Sequence, residues 1–342
     1  MNFPAHDTLA GYARTAVDLR SRMADYHRSP LSHDWLNAFM TARSADTTQP
    51  TAPKVLDAVR QITSLPWQGG QPYVVAPAMT AVIAAAAQAL DLTGEVLPND
   101  IAPDDSGVLL LPEPVYQRTL TGTITSIGAI TWAKTTTVTT GASSWFICGW
   151  ADHHDPLDPA AARRREQVAA RPDLTRQFGP YVLITLDQLP IGRPVDPPPD
   201  QPVIDDADID WQNAPDGRYV LDEAAMRTKV SAALVYAFWR IQAQPLATVA
   251  TAPADRATRR RAVRASIRHD TRVVMLRRTK PLAEPGDGDP KWHYRVRFFV
   301  RGHWRRLIDR DGIPYRIWIN AHIKGPDGAP LMLGEKVAVL AR

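Results

Sequence analysis

The chain has 342 residues, 44% hydrophobic and 22% charged, with 30 Pro, one Cys and a formal net charge of +4. That length predicts about two domains, and the balance of residues excludes a disordered, fibrous or disulfide-built protein. The charge is unevenly spread: residues 1–220 carry 16 Lys and Arg against 25 Asp and Glu, a net of −9, whereas residues 221–342 carry 24 against 11, a net of +13.

Residues 6–28 predict a helix, because Leu9, Tyr12, Ala13, Ala16, Leu19, Met23 and Tyr26 recur at helical steps between charged positions. Ser29-Pro30 ends it, and a second helix is expected to follow through Ala42. A Thr- and Pro-rich stretch, 44–53, reads as a loop. Helices are expected over 54–63 and 76–92. The uncharged run 73–90 is broken by Pro77 and Gln88, too short and interrupted for a membrane span. The opening Met1-Asn2-Phe3-Pro4 lacks the basic and apolar parts of an export signal, and a lone Cys148 reads as a buried thiol in a reducing compartment, so a cytoplasmic location is expected.

After Pro98 the pattern changes to strands: 107–111, 123–140, 143–150 and 181–186, rich in Thr, Ile and Val, with an exposed helix over 158–171 between the last two. Pro194, Pro197, Pro198, Pro199 and Pro202 then precede Asp205, Asp206, Asp208 and Asp210, the composition of a stiff, solvated linker. An amphipathic helix is expected over 221–244, with Leu221, Val230, Leu234, Phe238 and Ile241 in its apolar stripe. The fold class that follows is α+β. An acidic domain over 1–193 has helices within 6–92 and an antiparallel sheet within 107–188. A linker over 194–215 leads to a smaller basic domain over 216–342 with its own helix and antiparallel sheet.

The basic part carries the functional signal. Arg256, Arg260, Arg264 and Arg268 step by four and share one helical face, flanked by Arg259 and Arg261, and such a run is stable beside an anion. Further on, residues 292–307 alternate, with His293, Arg295, Arg297, Phe299 and Arg301 on one side. Asp309-Arg310-Asp311-Gly312 supplies turn chemistry, and the next strand sets Arg316, Trp318, Asn320, His322 and Lys324 against Ile317, Ile319, Ala321 and Ile323. If the strands pair, an apolar face packs on the Leu221 helix. The other face gathers cations, imidazoles, an indole and an amide that would bind phosphate, stack on bases and read a base edge. The expected partner is therefore DNA or RNA; an acidic protein, perceived by the same cations, is the alternative. A further alternative is a metal-independent ribonuclease in which His303 or His322 moves protons and Arg301 steadies the phosphorane.

Two other clusters were weighed for metal binding. Asp152-His153-His154-Asp155 holds adjacent ligand types that rarely face one ion, so a solvent loop closed by Pro156 is expected. The Asp205–Asp210 group lacks the Gly and distal Glu of a calcium loop. No metal and no cofactor are expected.

Leu111-Pro112-Glu113-Pro114-Val115 with Ala129-Ile130-Thr131-Trp132, and Arg301-Gly302-His303-Trp304-Arg305 with Ile317-Trp318-Ile319 and His322-Ile323-Lys324-Gly325-Pro326, resemble segments of uncharacterised proteins of actinobacterial phages and mobile elements. The resemblance implies a role in the life cycle of such an element, or in defence against one, and brings no catalytic residues with it.

Overall fold

In the computed structural model the described residues are 8–43, 52–136, 141–171, 177–197, 220–277, 297–300, 302–324 and 331–332. They form two compact units, 1–276 and 277–342.

The first unit is built on a mixed sheet. Its strands, in spatial order, are β5 (Tyr181–Pro190), β4 (Ser143–Asp152), β3 (Ile124–Thr136), β2 (Ser106–Arg118), β1 (Gln71–Val75), β8 (Thr271–Leu276) and β7 (Ala247–Ala252), with β6 (Val220–Asp222) paired beside the far end of β2. β1 is parallel to both β2 and β8, and the β2–β5 run and the β7–β8 pair are antiparallel. β3 and β4 are buried along almost their whole length, which suits their near-continuous Ile, Ala, Thr and Trp content.

Helices cover both faces. On one side lie α1 (Leu9–His27), α2 (Pro30–Arg43) and α3 (Pro53–Gly69), whose Ala16, Leu19, Met23, Leu36 and Trp67 join Val74, Val108, Phe146, Trp150 and Tyr181 in one core. On the other side α4 (Pro77–Gln88) packs against α6 (Val230–Gln242), and both lie on the sheet. Here Tyr73, Trp132 and Phe238 meet at ring-centroid distances of 5.1–5.9 Å, and Trp239 bridges Trp132 and Trp145. Gly107 faces Trp132 across the ladder, and a Cβ there would collide with the indole at 2.1 Å.

The layers are tied by one buried cation. Arg20, fully buried on α1, donates from Nε to Trp67 O (3.1 Å), from Nη2 to Gln68 O (2.9 Å) and Gly70 O (3.0 Å), and from Nη1 to Arg268 O (2.7 Å). Burial lowers its pKa to about 9, which still leaves it charged at neutral pH. The carbonyls at the end of α3 carry the negative end of that helix dipole, and with the nearby Asp270 carboxylate they answer the charge.

The α+β class is as expected, and α1, α2, α4 and β3–β5 fall on the predicted segments, whereas β2, expected over 107–111, runs on through Pro112-Glu113-Pro114 to Arg118 with a register shift there. α5 (Pro159–Ala169), which follows the Asp158 cap, does so as well. Three differences matter. β1 was not foreseen; Gln71-Pro72-Tyr73-Val74-Val75 forms a five-residue strand before the Ala-rich helix. The helix expected over 221–244 is divided into β6, a 3-10 turn over Glu223–Ala225 and α6, which is buried around its whole circumference except near Arg240. The domain boundary expected at 194–215 is corrected to 276/277. β8 completes the sheet beside β1, β6 extends it beside β2, and α6 is sealed under the same sheet, so 220–276 cannot part from the first half. Pro194 and Val195 are pinned to the 93–96 segment by bridges, and residues 198–219 lie outside the described set.

The second unit holds a hairpin of β10 (His303–Ile308) and β11 (Pro314–Ile319), and a small sheet in which β9 (Arg297–Val300) lies between β12 (His322–Lys324) and β13 (Leu331–Met332). The turn is the one expected: Asp309 Oδ1 accepts from Asp311 N (2.9 Å) and Ile313 N (2.8 Å), and Gly312 takes φ 79°. The predicted single strand over 292–307 breaks near Gly302, so β9 and β10 join different sheets.

Replacing Arg20 by Met removes a donor from each of the four carbonyls, of which Gln68 O keeps the Arg268 N–H, and should lower the unfolding free energy by about 3 kcal/mol or more. Arg20→Lys, which keeps the charge but not the fork, should recover part of that loss. Urea denaturation followed by circular dichroism reads both; equal stability of Arg20→Met and wild type would show that the clamp is idle.

Candidate nucleic-acid interface

α7 (Arg256–Ala265) is a short helix with well-defined ends. Asp255 caps it, its Oδ1 accepting from Thr258 N (2.7 Å), and that bond holds the carboxyl below its ordinary pKa. Ser266 ends it in the left-handed region, with Ile267 N returning to Ala262 O at 3.0 Å. Thr258 and Ala262 are buried, and Ala262 and Ile267 pack on Val17 and Ala24 of α1. The thin apolar side is therefore enough to dock the helix, and the arginines occupy the rest.

Two of those arginines are structural. Arg261 pairs with Asp18 of α1, and Arg268 makes a forked pair with Asp270 (3.0 and 2.6 Å) while its own carbonyl accepts from Arg20. Arg256, Arg259, Arg260 and Arg264 are exposed and have no carboxylate partner among the described residues. Arg256, Arg260 and Arg264 rise about 6 Å per step along the helix. Arg259 was read as a flanking residue; its position three after Arg256 on the same exposed side is the signal that adds it to the set.

The C-terminal face is corrected. Arg316 (9% exposed) and Trp318 (3%) are buried, and they share their side of the hairpin with Trp304 and Arg306 across the ladder. The Trp304 and Trp318 rings meet edge to face at 5.4 Å, and the Trp318 indole lies over Gly302, where a Cβ would stand 2.4 Å from it. Alternation correctly placed Arg316 with Trp318, but the bulk of the indole turns that face inward. The Leu221 segment, expected to pack on this sheet, is part of the first unit.

Of the remaining positions, His303, Asn320 and His322 are exposed, and His322 Nδ1 lies 3.0 Å from Asn320 O. His303 is on the β10–β11 hairpin and His322 in the β9–β12–β13 sheet, so the ribonuclease pair does not share a strand ladder. Arg297 and Lys324 lie on strand backbone whose side chains are outside the described set, as are Arg295 and Arg301 entirely.

The Asp152–Asp155 loop is corrected too. It is a buried polar staple. Asp155 Oδ2 accepts from Tyr116 Oη (2.6 Å), Asp158 accepts from Ser126 N and Oγ and caps α5, and the His153 ring packs on Phe178 at 4.2 Å. Burial lowers the pKa of His153 to about 2 and that of His27 beside Trp150 to about 3. Among the described residues no group of His, Cys, Asp and Glu is placed to hold a metal, and no helix is long and apolar enough to cross a membrane. Cys148 is buried, and burial pushes its thiol up to about 12. No protein-family model and no curated protein matches the chain.

The histidines set a pH dependence. Below about 6.5 the unfolded chain takes up protons that buried His27 and His153 refuse. Stability is therefore full above that pH and falls as the pH drops toward about 3, by about 1.4 kcal/mol per pH unit for each excluded proton. Asp187 acts in the opposite sense: burial raises its pKa to about 6, so its contribution is greatest in acid and is lost as pH rises through that value. The two imidazoles outnumber it. Calorimetry should show Tm falling from pH 7.5 to 5, and a Tm that rises over that interval would contradict the assignment.

A second expectation concerns the hairpin. Trp318→Ala should open trypsin cleavage at Arg305 and Arg306 while leaving the Tm of the large sheet unchanged, because the indole packs within the small unit.

Proposed function

We propose that this chain is a nucleic-acid-associated protein that grips phosphate through the exposed arginine face of α7. The observation that carries the reading is the set of Arg256, Arg259, Arg260 and Arg264: exposed, on one short helix, with no carboxylate partner among the described residues. Like charges crowded at helical spacing repel, and an anionic backbone relieves that repulsion by neutralising several at once. Guanidinium forks suit phosphate oxygens better than ammonium groups do.

The helix is short of other recognition chemistry. Its exposed side otherwise offers Ala257 and Val263, with no aromatic side chain for base stacking. Contacts of this kind position a protein on DNA or RNA without specifying sequence. The role that follows is sequence-tolerant attachment, in the cytoplasm, in the regulation or defence functions of a phage or mobile element that the sequence resemblance implies.

Replacement of Arg256, Arg260 and Arg264 together by Ala removes three phosphate contacts while favouring the helix itself. Fluorescence anisotropy on a random-sequence duplex across a salt series should show weaker binding and a log–log salt slope shallower by about 2.7. A variant with wild-type affinity and slope would sink the reading.

A further inference from the structure

The two edges of the large sheet are treated differently. β5 is guarded: Trp35 Nε1 donates to Leu183 O at 3.2 Å and Arg43 Nη2 to Leu186 O at 3.4 Å, so α2 side chains occupy carbonyls that a new strand would need. β7, at the opposite edge, has no such guard among the described residues. It carries no charge, no Pro and no bulge in its register with β8, and Thr248, Val249 and Thr251 are exposed. Natural sheet edges are ordinarily blunted by one of those devices.

The outward groups of β7 can be assigned. Ala76 N donates to Val274 O at 3.0 Å, so Val274 turns its backbone groups toward β1. Its partner across the β7–β8 ladder, Val249, is therefore in a non-hydrogen-bonded pair and directs its N–H and C=O away from the sheet. Thr251 does the same by alternation, whereas Thr248 and Ala250 face β8. Neither Val249 nor Thr251 has a hydrogen bond outside the sheet among the described residues.

We infer that β7 is a docking edge for an extended segment of an acidic partner protein, which adds to the sheet as a further strand. Charge chooses the occupant. The strand ends at Ala252, and α7 begins at Arg256, so an added strand runs out beside the exposed Arg256, Arg259 and Arg260. For the antiparallel pairing, the acidic residues precede the strand and the alternating Val or Thr residues follow. The outward N–H and C=O of Val249 and Thr251 supply the affinity, and the arginines supply the choice of partner. The inference does not depend on nucleic-acid binding, but an acidic flank seated on α7 excludes phosphate from it, so the two partners compete.

The test uses the full chain and a fluorescein-labelled peptide with an Asp/Glu run followed by alternating Val and Thr, as long as β7. Anisotropy at low salt should show binding that weakens by roughly tenfold or more in each of three comparisons. These are Val249→Pro, which removes an outward donor and leaves the β8 ladder intact, a peptide N-methylated at alternate residues, and a peptide with Lys in place of the acidic run. The N-methylated peptide keeps the test decisive if Val249→Pro unfolds. No binding of the acidic peptide by wild type, equal binding of the N-methylated peptide, or equal binding of the Lys-flanked peptide would each overturn the inference. So would duplex DNA binding that vanishes in folded Val249→Pro, since the edge would then belong to nucleic acid.

Discussion

A guanidinium removed from water and bonded to backbone carbonyls holds the first unit together. Arg20 reaches the end of α3, the entry to β1 and the segment between α7 and β8, elements that are up to 248 residues apart in sequence. A buried charge is costly unless its donors are used. Here the fork donates to the Trp67, Gln68, Gly70 and Arg268 carbonyls. The same contact sets the position of α7, because the carbonyl it grips belongs to Arg268, just past that helix. Attachment of the exposed arginines to the sheet thus runs through an arginine that is not exposed at all.

Placing the boundary at 276 rather than near 200 changes what the charge distribution means. Residues 1–276 carry 26 Lys and Arg against 29 Asp and Glu, a net of −3, and residues 277–342 carry 14 against 7, a net of +7. The contrast of −9 and +13 was produced by cutting through one sheet. Within the larger unit the positive charge is concentrated on α7 and the residues just past it, where six arginines stand in residues 256–268 without an acid, set on an otherwise acidic body. A local patch on a near-neutral body steers a partner to one place, which a uniformly basic domain does not do.

How much of this was legible in the sequence depends on the kind of signal. Periodicity revealed α1 and the β2–β5 run, because each buries a regular set of apolar residues. Four-residue spacing revealed the α7 face. β1 was not legible: Tyr73-Val74-Val75 merges with the Ala run of α4, and pairing with β2 on one side and with β8, almost two hundred positions later, on the other makes it a strand. The Leu221 segment reads as one helix, but Thr228 accepts from Leu92 N at 3.1 Å through its Oγ1 and pins an extended stretch before α6. Alternation around Trp318 gives the right partition into two faces and no information on which is covered; the absence of a side chain at Gly302, which lets the Trp318 indole lie over it, decides that. The buried Asp152–Asp158 staple was hidden because hydrophilic residues in a row carry no sign that Tyr116 and Ser126 will meet them.

β1 is an interior strand of the sheet, with β2 on one side and β8 on the other. During synthesis its first neighbour emerges soon after it, and its second only once nearly the whole first unit has left the ribosome. Until then one side of β1 is an open edge, and the Arg20 fork lacks the Arg268 carbonyl that completes it. Long-range closure of this kind makes folding slow and leaves the nascent chain exposed to unwanted strand pairing. The order of the strands therefore places the burden of protection on the period of translation, before the finished protein has any partner to meet.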